Sequence, residues 1–210
     1  MTTMRSVVFD IETGPVSQEM LELAMPQFEA PANFKDPLKI EAAIAAKKTD
    51  WLTSAALSPL TGRVIAIGVI EPGAGFGYIA GDDEAQILRR FWTKLLQHSQ
   101  LPVIGFNIAH FDIPFLLRRS FKHGVTPVPC FRGRYLSDRF VDLMQVWQCG
   151  DYKELISLNA LAKFLGAGEK TGSGADFARL WETDRQLALE YLRKDCELVV
   201  ACAQKMGISL

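Results

Sequence analysis

The stretch VVFDIETG, residues 7–14, sets Asp10 and Glu12 two positions apart in a run that reads as a β-strand. Side chains alternate along a strand, so Val7, Phe9 and Ile11 face one side and Val8, Asp10 and Glu12 the other. The two acid-bearing Cα atoms would lie roughly 7 Å apart. Carboxylates at that range repel, more strongly in a low-dielectric interior than in water. Either a cation sits between them or the strand end is wet and both are solvated.

Two further segments raise the same question. In GFNIAHFDIPFLLRR, Asp112 falls where a strand gives way to a helix. It is placed to cap that helix, with Pro114 in the first turn. A strand end in an open α/β sheet is equally where ligands bind. Asn107 could bond a substrate or satisfy the turn. In EYLRKDCELVV, Tyr191 and Asp195 are four apart and share a helix face with Leu198 and Cys202. An acid on that inward stripe needs a partner, either a basic side chain or a metal ion. Tyr191 could orient a water or simply pack. Hard oxygen donors of this kind suit Mg²⁺ or Mn²⁺ rather than zinc, and a pair of such ions is the clamp used in phosphoryl chemistry.

The elements that must bring these residues together can be read in outline. Strands are expected over residues 6–12, 63–70 and 76–80, in PVIGFN, and within RYLSDRFVDLMQVW. Helices are expected over GDDEAQILRRFWTKLLQ, HFDIPFLLRRSFKHG, SLNALAKFLGA and residues 184–206. The second of these stops at a glycine, and the third has a serine cap and also ends at glycine. Strands alternating with helices predict an α/β class with a mixed sheet. The segment 14–62, with five prolines and the alanine-rich helix PLKIEAAIAAKKTDWLTSAAL, is long for a connection and reads as an insertion that borders a site or merely decorates the domain. One domain over residues 1–210 is expected.

Composition narrows the partners. The net charge of −1 gives no global attraction to nucleic acid or anionic membrane, so any such site must come from local clustering. Residues 118–139 supply one candidate: Arg118, Arg119, Lys122, Arg132, Arg134 and Arg139 against Asp138 alone, a phosphate path or a solvated surface. Phe106, Phe111 and Phe115 could stack on bases, although helical spacing of the last two favours core packing. The four cysteines form no CxxC pair and only three histidines exist, so a structural zinc is not expected. The opening MTTMRS does not read as an export signal, so reduced thiols and a cytoplasmic location are expected. No apolar run approaches a membrane span. GAGEKTGSG fails the P-loop pattern because Lys170 follows Glu169, and with Lys170 and Arg179 it reads as a flexible flank.

Taken together, DIET, NIAHFD and YLRKD resemble, in order, the three motifs of the DEDD exonuclease superfamily in its tyrosine form. SLNALAKFLG resembles the helix that precedes the third motif. Within the superfamily the chain is most similar to stand-alone bacterial proteins related to the proofreading domain of family-B DNA polymerases. The resemblance covers nearly the whole chain and is weakest over residues 14–62.

It implies an RNase H-like fold, with a five-stranded mixed sheet flanked by helices and an insertion after the first strand. It implies 3′→5′ exonuclease activity on single-stranded ends, DNA more than RNA, using two divalent ions. Asp10 would bridge the ions, Glu12 and Asp195 would complete the tighter site, Asp112 would hold the second through water, and Tyr191 would orient the attacking water. Thr13, Asn107, Phe111, Arg118 and Arg119 are the expected substrate contacts. The alternatives are an RNA-trimming enzyme of the same chemistry and a non-catalytic nucleic-acid-binding module on the same fold.

Overall fold

The computed structural model describes residues 5–170, 172 and 174–210. In chain order the elements are β1 (Val7–Pro15), α1 (Gln18–Ala24), α2 (Pro37–Ser54), β2 (Gly62–Glu71), β3 (Gly75–Ala80), α3 (Glu84–Gln97), β4 (Val103–Gly105), α4 (Asp112–Lys122), β5 (Phe131–Arg132), β6 (Tyr135–Leu136), β7 (Phe140–Asp142), α5 (Leu143–Gln148), α6 (Leu158–Leu165), α7 (Phe177–Thr183) and α8 (Arg185–Lys205). Five strands form one sheet in the order β3-β2-β1-β4-β7, and β5 and β6 make a small separate hairpin. β1 and β7 each run parallel to β4, whereas β2 and β3 are antiparallel, so the sheet is mixed.

Contacts divide the chain into two compact units, one of the residues up to Glu12 with Val64–Leu210 and the other of Thr13–Arg63. The second contains α1 and α2. Asp36 caps α2 by accepting from Leu38 N, and Trp51 packs near a small cluster of Val16, Leu21 and Ala55.

The first unit is layered. Val7, Phe9 and Ile11 pack with Phe91, Trp92 and Leu95 of α3 and Phe115 and Leu116 of α4. Val8 packs on the other side with Leu161, Phe177, Leu192, Cys196 and Val199, from α6, α7 and α8. Strand alternation therefore aims Asp10 and Glu12 at the layer that contains α8. Gly68 lets that helix come close: a Cβ there would lie 2.7 Å from Cys196 Sγ and 2.9 Å from Leu192 Cγ. Among the described residues no helix is long and apolar enough to cross a membrane. The first four residues of MTTMRS, the stretch read as lacking an export signal, lie outside the described residues.

Two local expectations change. The strand in PVIGFN spans only Val103–Gly105, because the chain turns at Asn107, which takes φ 59°. Gly105 is required there, since a Cβ would lie 2.3 Å from Ile108 Cγ2. Asp112 does not cap α4. Phe111 occupies the cap position without a side-chain bond, and Asp112 is the first helical residue.

Candidate metal centre

The site forms where the acid face of β1 meets α8. α8 begins at Asp184, whose carboxylate accepts from Leu187 N at 3.0 Å. Its buried stripe runs Ala188, Tyr191, Leu192, Asp195, Cys196, Leu198, Val199 and Cys202, the spacing of one helix face. Asp195 thus comes to Asp10 and Glu12, with carboxylate oxygens of all three within 4.8 Å of one another. Asp112 joins them from α4. Its Oδ1 accepts a hydrogen bond from Ile11 N at 3.2 Å, so the carboxylate is pinned to β1 between the two acids of the opening motif.

Electrostatics mark this cluster as unsatisfied. Burial, then the Asp195 carboxylate, push Asp10 up to about 7, against the pull of Lys170. Glu12 is held well above the usual carboxylate range by burial, then by Asp10 and Asp195. Asp112 is raised by burial and then by Asp10, and Asp195 by burial. Among the described residues one cation is present: Lys170 Nζ lies 2.6 Å from Asp195 Oδ2 and 5.4 Å from the centre of the Tyr191 ring. The structural ion pair that Asp195 could have formed therefore exists, yet one ammonium faces four carboxylates. An all-oxygen, anionic donor set of this kind, with Glu12, Asp112 and Asp195 buried and Asp10 half-buried, fits hard divalent cations.

Tyr191 is 6% exposed, and its hydroxyl lies beside the Asp195 carboxylate, its hydrogen-bonding neighbour in the site. Burial and the Asp195 and Glu12 carboxylates raise its pKa, so it stays protonated. A Cβ at Gly174 would sit 3.7 Å from that hydroxyl and 3.9 Å from Glu12 Oε2, and one at Gly172 would sit 3.2 Å from the ring. The glycine-rich stretch that reads as a flank in sequence thus packs on the site, with Lys170 inside it. Arg179 instead pairs with Asp176 at 3.1 Å. Thr171 and Ser173 lie outside the described residues.

The remaining expected contacts separate. Asn107 and Phe111 are half-buried in the turn that leads to Asp112, and Phe111 packs on the Phe115 ring at 5.6 Å. Phe115 itself is core. Thr13 follows Glu12 in β1, is buried, and by strand alternation points to the opposite side. Arg118 is exposed on α4. Arg119 is a correction. It is buried and donates through Nε and Nη2 to Glu84 at 2.8 and 2.5 Å, because consecutive helical residues point about 100° apart, which aims Arg119 inward where Arg118 points out. Arg139 also leaves the expected basic path, binding the carbonyls of Leu95, His98 and Leu101 at the end of α3.

One residue of the site went unread in sequence. Asp142, at the end of β7, accepts from Asn107 N at 2.7 Å, Ala109 N at 2.9 Å and Met144 N at 2.9 Å. It holds the positive-φ turn that positions Asp112. Its only sequence signal is an acid at a strand end before a helix, which reads equally as an ordinary cap. Asp142→Ala leaves three amides unsatisfied. It is expected to cost about 2 kcal/mol in urea unfolding.

Comparison with known proteins accords with this geometry. A family model described as a predicted 3′–5′ exonuclease related to the exonuclease domain of PolB matches residues 62–200. Among solved structures, the family B DNA polymerase from the hyperthermophilic archaeon Pyrobaculum calidifontis aligns with a TM-score of 0.64 at 17% identity. The alignment covers 97% of this chain and 24% of the polymerase, so the chain spans about a quarter of that protein's length. At this identity the match shows a shared fold, of the RNase H-like type. No curated protein matches the sequence.

Proposed function

We propose, for a chain that belongs to the family of predicted 3′–5′ exonucleases related to the exonuclease domain of PolB, that it hydrolyses the terminal phosphodiester of single-stranded DNA with two divalent ions, Mg²⁺ or Mn²⁺. The observation that carries this reading is the convergence of Asp10, Glu12 and Asp195 within 4.8 Å, with Asp112 pinned to the same strand. When bound, the ions supply charge stabilisation for the scissile phosphate and the leaving oxygen.

The chain's own residues do the rest. Asp10, Glu12 and Asp195 would hold one ion, and Asp10 with Asp112, the latter through water, would hold the other. Ile11 N and Asp142 hold Asp112 in register. The Tyr191 hydroxyl, protonated and beside Asp195, would hydrogen-bond the attacking water and orient it. Lys170 neutralises Asp195 and supports the carboxylate cluster. Asn107 and Phe111, in the turn before Asp112, contact the terminal nucleotide, and Arg118 contacts a phosphate further along the strand. Residues 14–62 would be an inserted arm of one exonuclease domain.

The test uses matched DNA and RNA oligonucleotides labelled at the 5′ end. Stepwise shortening in Mn²⁺ or Mg²⁺, faster for DNA and absent in chelator, is expected. Salt-sensitive binding without shortening in either metal would leave only a binding module, and faster RNA loss would reverse the substrate preference.

A further inference from the structure

We propose that the outer edge of β3 docks an extended peptide in which acidic and apolar side chains alternate. β3 ends the sheet. Its inner side pairs with β2 in unbroken register from Glu71↔Gly75 to Ala66↔Ala80, and among the described residues no strand pairs with its outer side. Exposed edges are usually blunted by a charge, a proline or a bulge. GFGYIA has no charge and no proline, and its one-to-one register leaves no bulge. The row of backbone donors and acceptors on that side is therefore ready for another strand.

Two grooves flank this edge, and an added strand would send alternate side chains into each. The first, about 570 Å³, lies between β3 and α8. Its charges cancel in two pairs, Lys194 with Glu190 at 2.9 Å and Arg193 with Glu197 at 2.7 Å. With no net charge left, the lining offers Phe76, Leu189, the Tyr78 ring and the stems of the paired side chains to apolar groups, with Gln186 as its remaining uncharged polar side chain.

The second groove, about 390 Å³, lies between β3 and α3 and has no acid in its lining. A Cβ at Gly77 would meet nothing within 4 Å, so the floor is open. Arg90 is exposed and has no ion pair among the described residues, and Arg89 reaches only Asp83, at 3.9 Å. This groove suits carboxylates.

The same charges select the occupant. A second copy pairing through β3 about a two-fold axis would put the α3 arginines of both copies on one face, where they repel. A nucleic-acid strand could meet the arginines but has no amide ladder to offer the edge.

The probe is an acetylated, fluorescein-labelled decapeptide alternating Glu and Val, titrated onto the full chain in chelator. The control alternates Lys and Val. The expected result is binding at least about tenfold tighter for the acidic peptide, with slowed amide exchange across residues 75–80. The double variant Arg89→Glu/Arg90→Glu should lose that preference while retaining wild-type exonuclease activity. Equal binding of both peptides, unchanged binding in the double variant, displacement by a single-stranded oligonucleotide, or protection of residues 75–80 through self-association seen in sedimentation would each overturn the proposal.

Discussion

Asp10→Asn is expected to abolish exonuclease activity, by about 10³-fold or more, while making the metal-free protein more stable at neutral pH. The two effects have one cause. Asp10 shares its space with Glu12 and Asp195, and burial together with the Asp195 charge raises its pKa to about 7. Ionising it in the absence of metal costs folding free energy. Asparagine keeps the shape and removes the charge, so the remaining acids repel less. The same change removes the anionic oxygen on which cation binding depends. Nucleotide release in Mn²⁺ and thermal melting in chelator are the two measurements. Loss of activity with a lower melting temperature would mean that Asp10 is a structural residue, and retained activity would remove it from the chemistry.

The second large effect is a pH dependence that metal reverses. Asp10, Glu12, Asp112 and Asp195 are all raised above ordinary carboxylate values in the folded protein. Through the range between their unfolded and folded pKa values the folded state holds more protons than the unfolded one. Stability from these groups is therefore full at low pH and is lost as pH rises, for Asp10 between about 4 and about 7. Glu71 and Glu84 work in the opposite sense. Their carboxyls, burial notwithstanding, are lowered by Lys94 and His98 and by Arg119, Val64 N and His123 respectively, so their contribution is lost as pH falls through the acid range.

The metal-free protein should accordingly be most stable in mildly acidic solution and lose about 2 kcal/mol by pH 8. Saturating Mn²⁺ should restore that loss, because a bound cation favours the ionised acids. Urea unfolding from pH 5 to 8, with chelator and with Mn²⁺, measures it. Chelator and Mn²⁺ curves that coincide at pH 8 would show that no ion binds the cluster.

Much of this was written in local pattern. Asp10 and Glu12 alternate with apolar residues, and period-2 alternation alone puts both on one face of β1. Tyr191, Asp195 and Cys202 share a stripe because a helix repeats every 3.6 residues. Ser157 and Gly166 marked both ends of α6, and the cap at Ser157 accepts from Ala160 N. Such features depend on neighbours within one turn or one strand step, so they survive in any context that lets the element form.

Other features depended on what packs across space. Asp112 looked like a helix cap, and only the approach of β1 shows its carboxylate accepting from Ile11 N. Arg119 looked like its exposed neighbour Arg118, and only the position of Glu84 on α3 makes it a buried ion-pair partner. Lys170 lay in a glycine-rich run with no periodicity to orient it, and the fold sets it on Asp195. Asp142 gave no signal beyond an ordinary cap, and its role exists only because β7 lies beside β4 and under the Asn107 turn. By itself the sequence determined which faces carry acids and which carry apolar groups, because backbone geometry repeats locally. Only tertiary structure decided which charges meet, because partners 25 to 101 residues apart are chosen by packing and not by spacing.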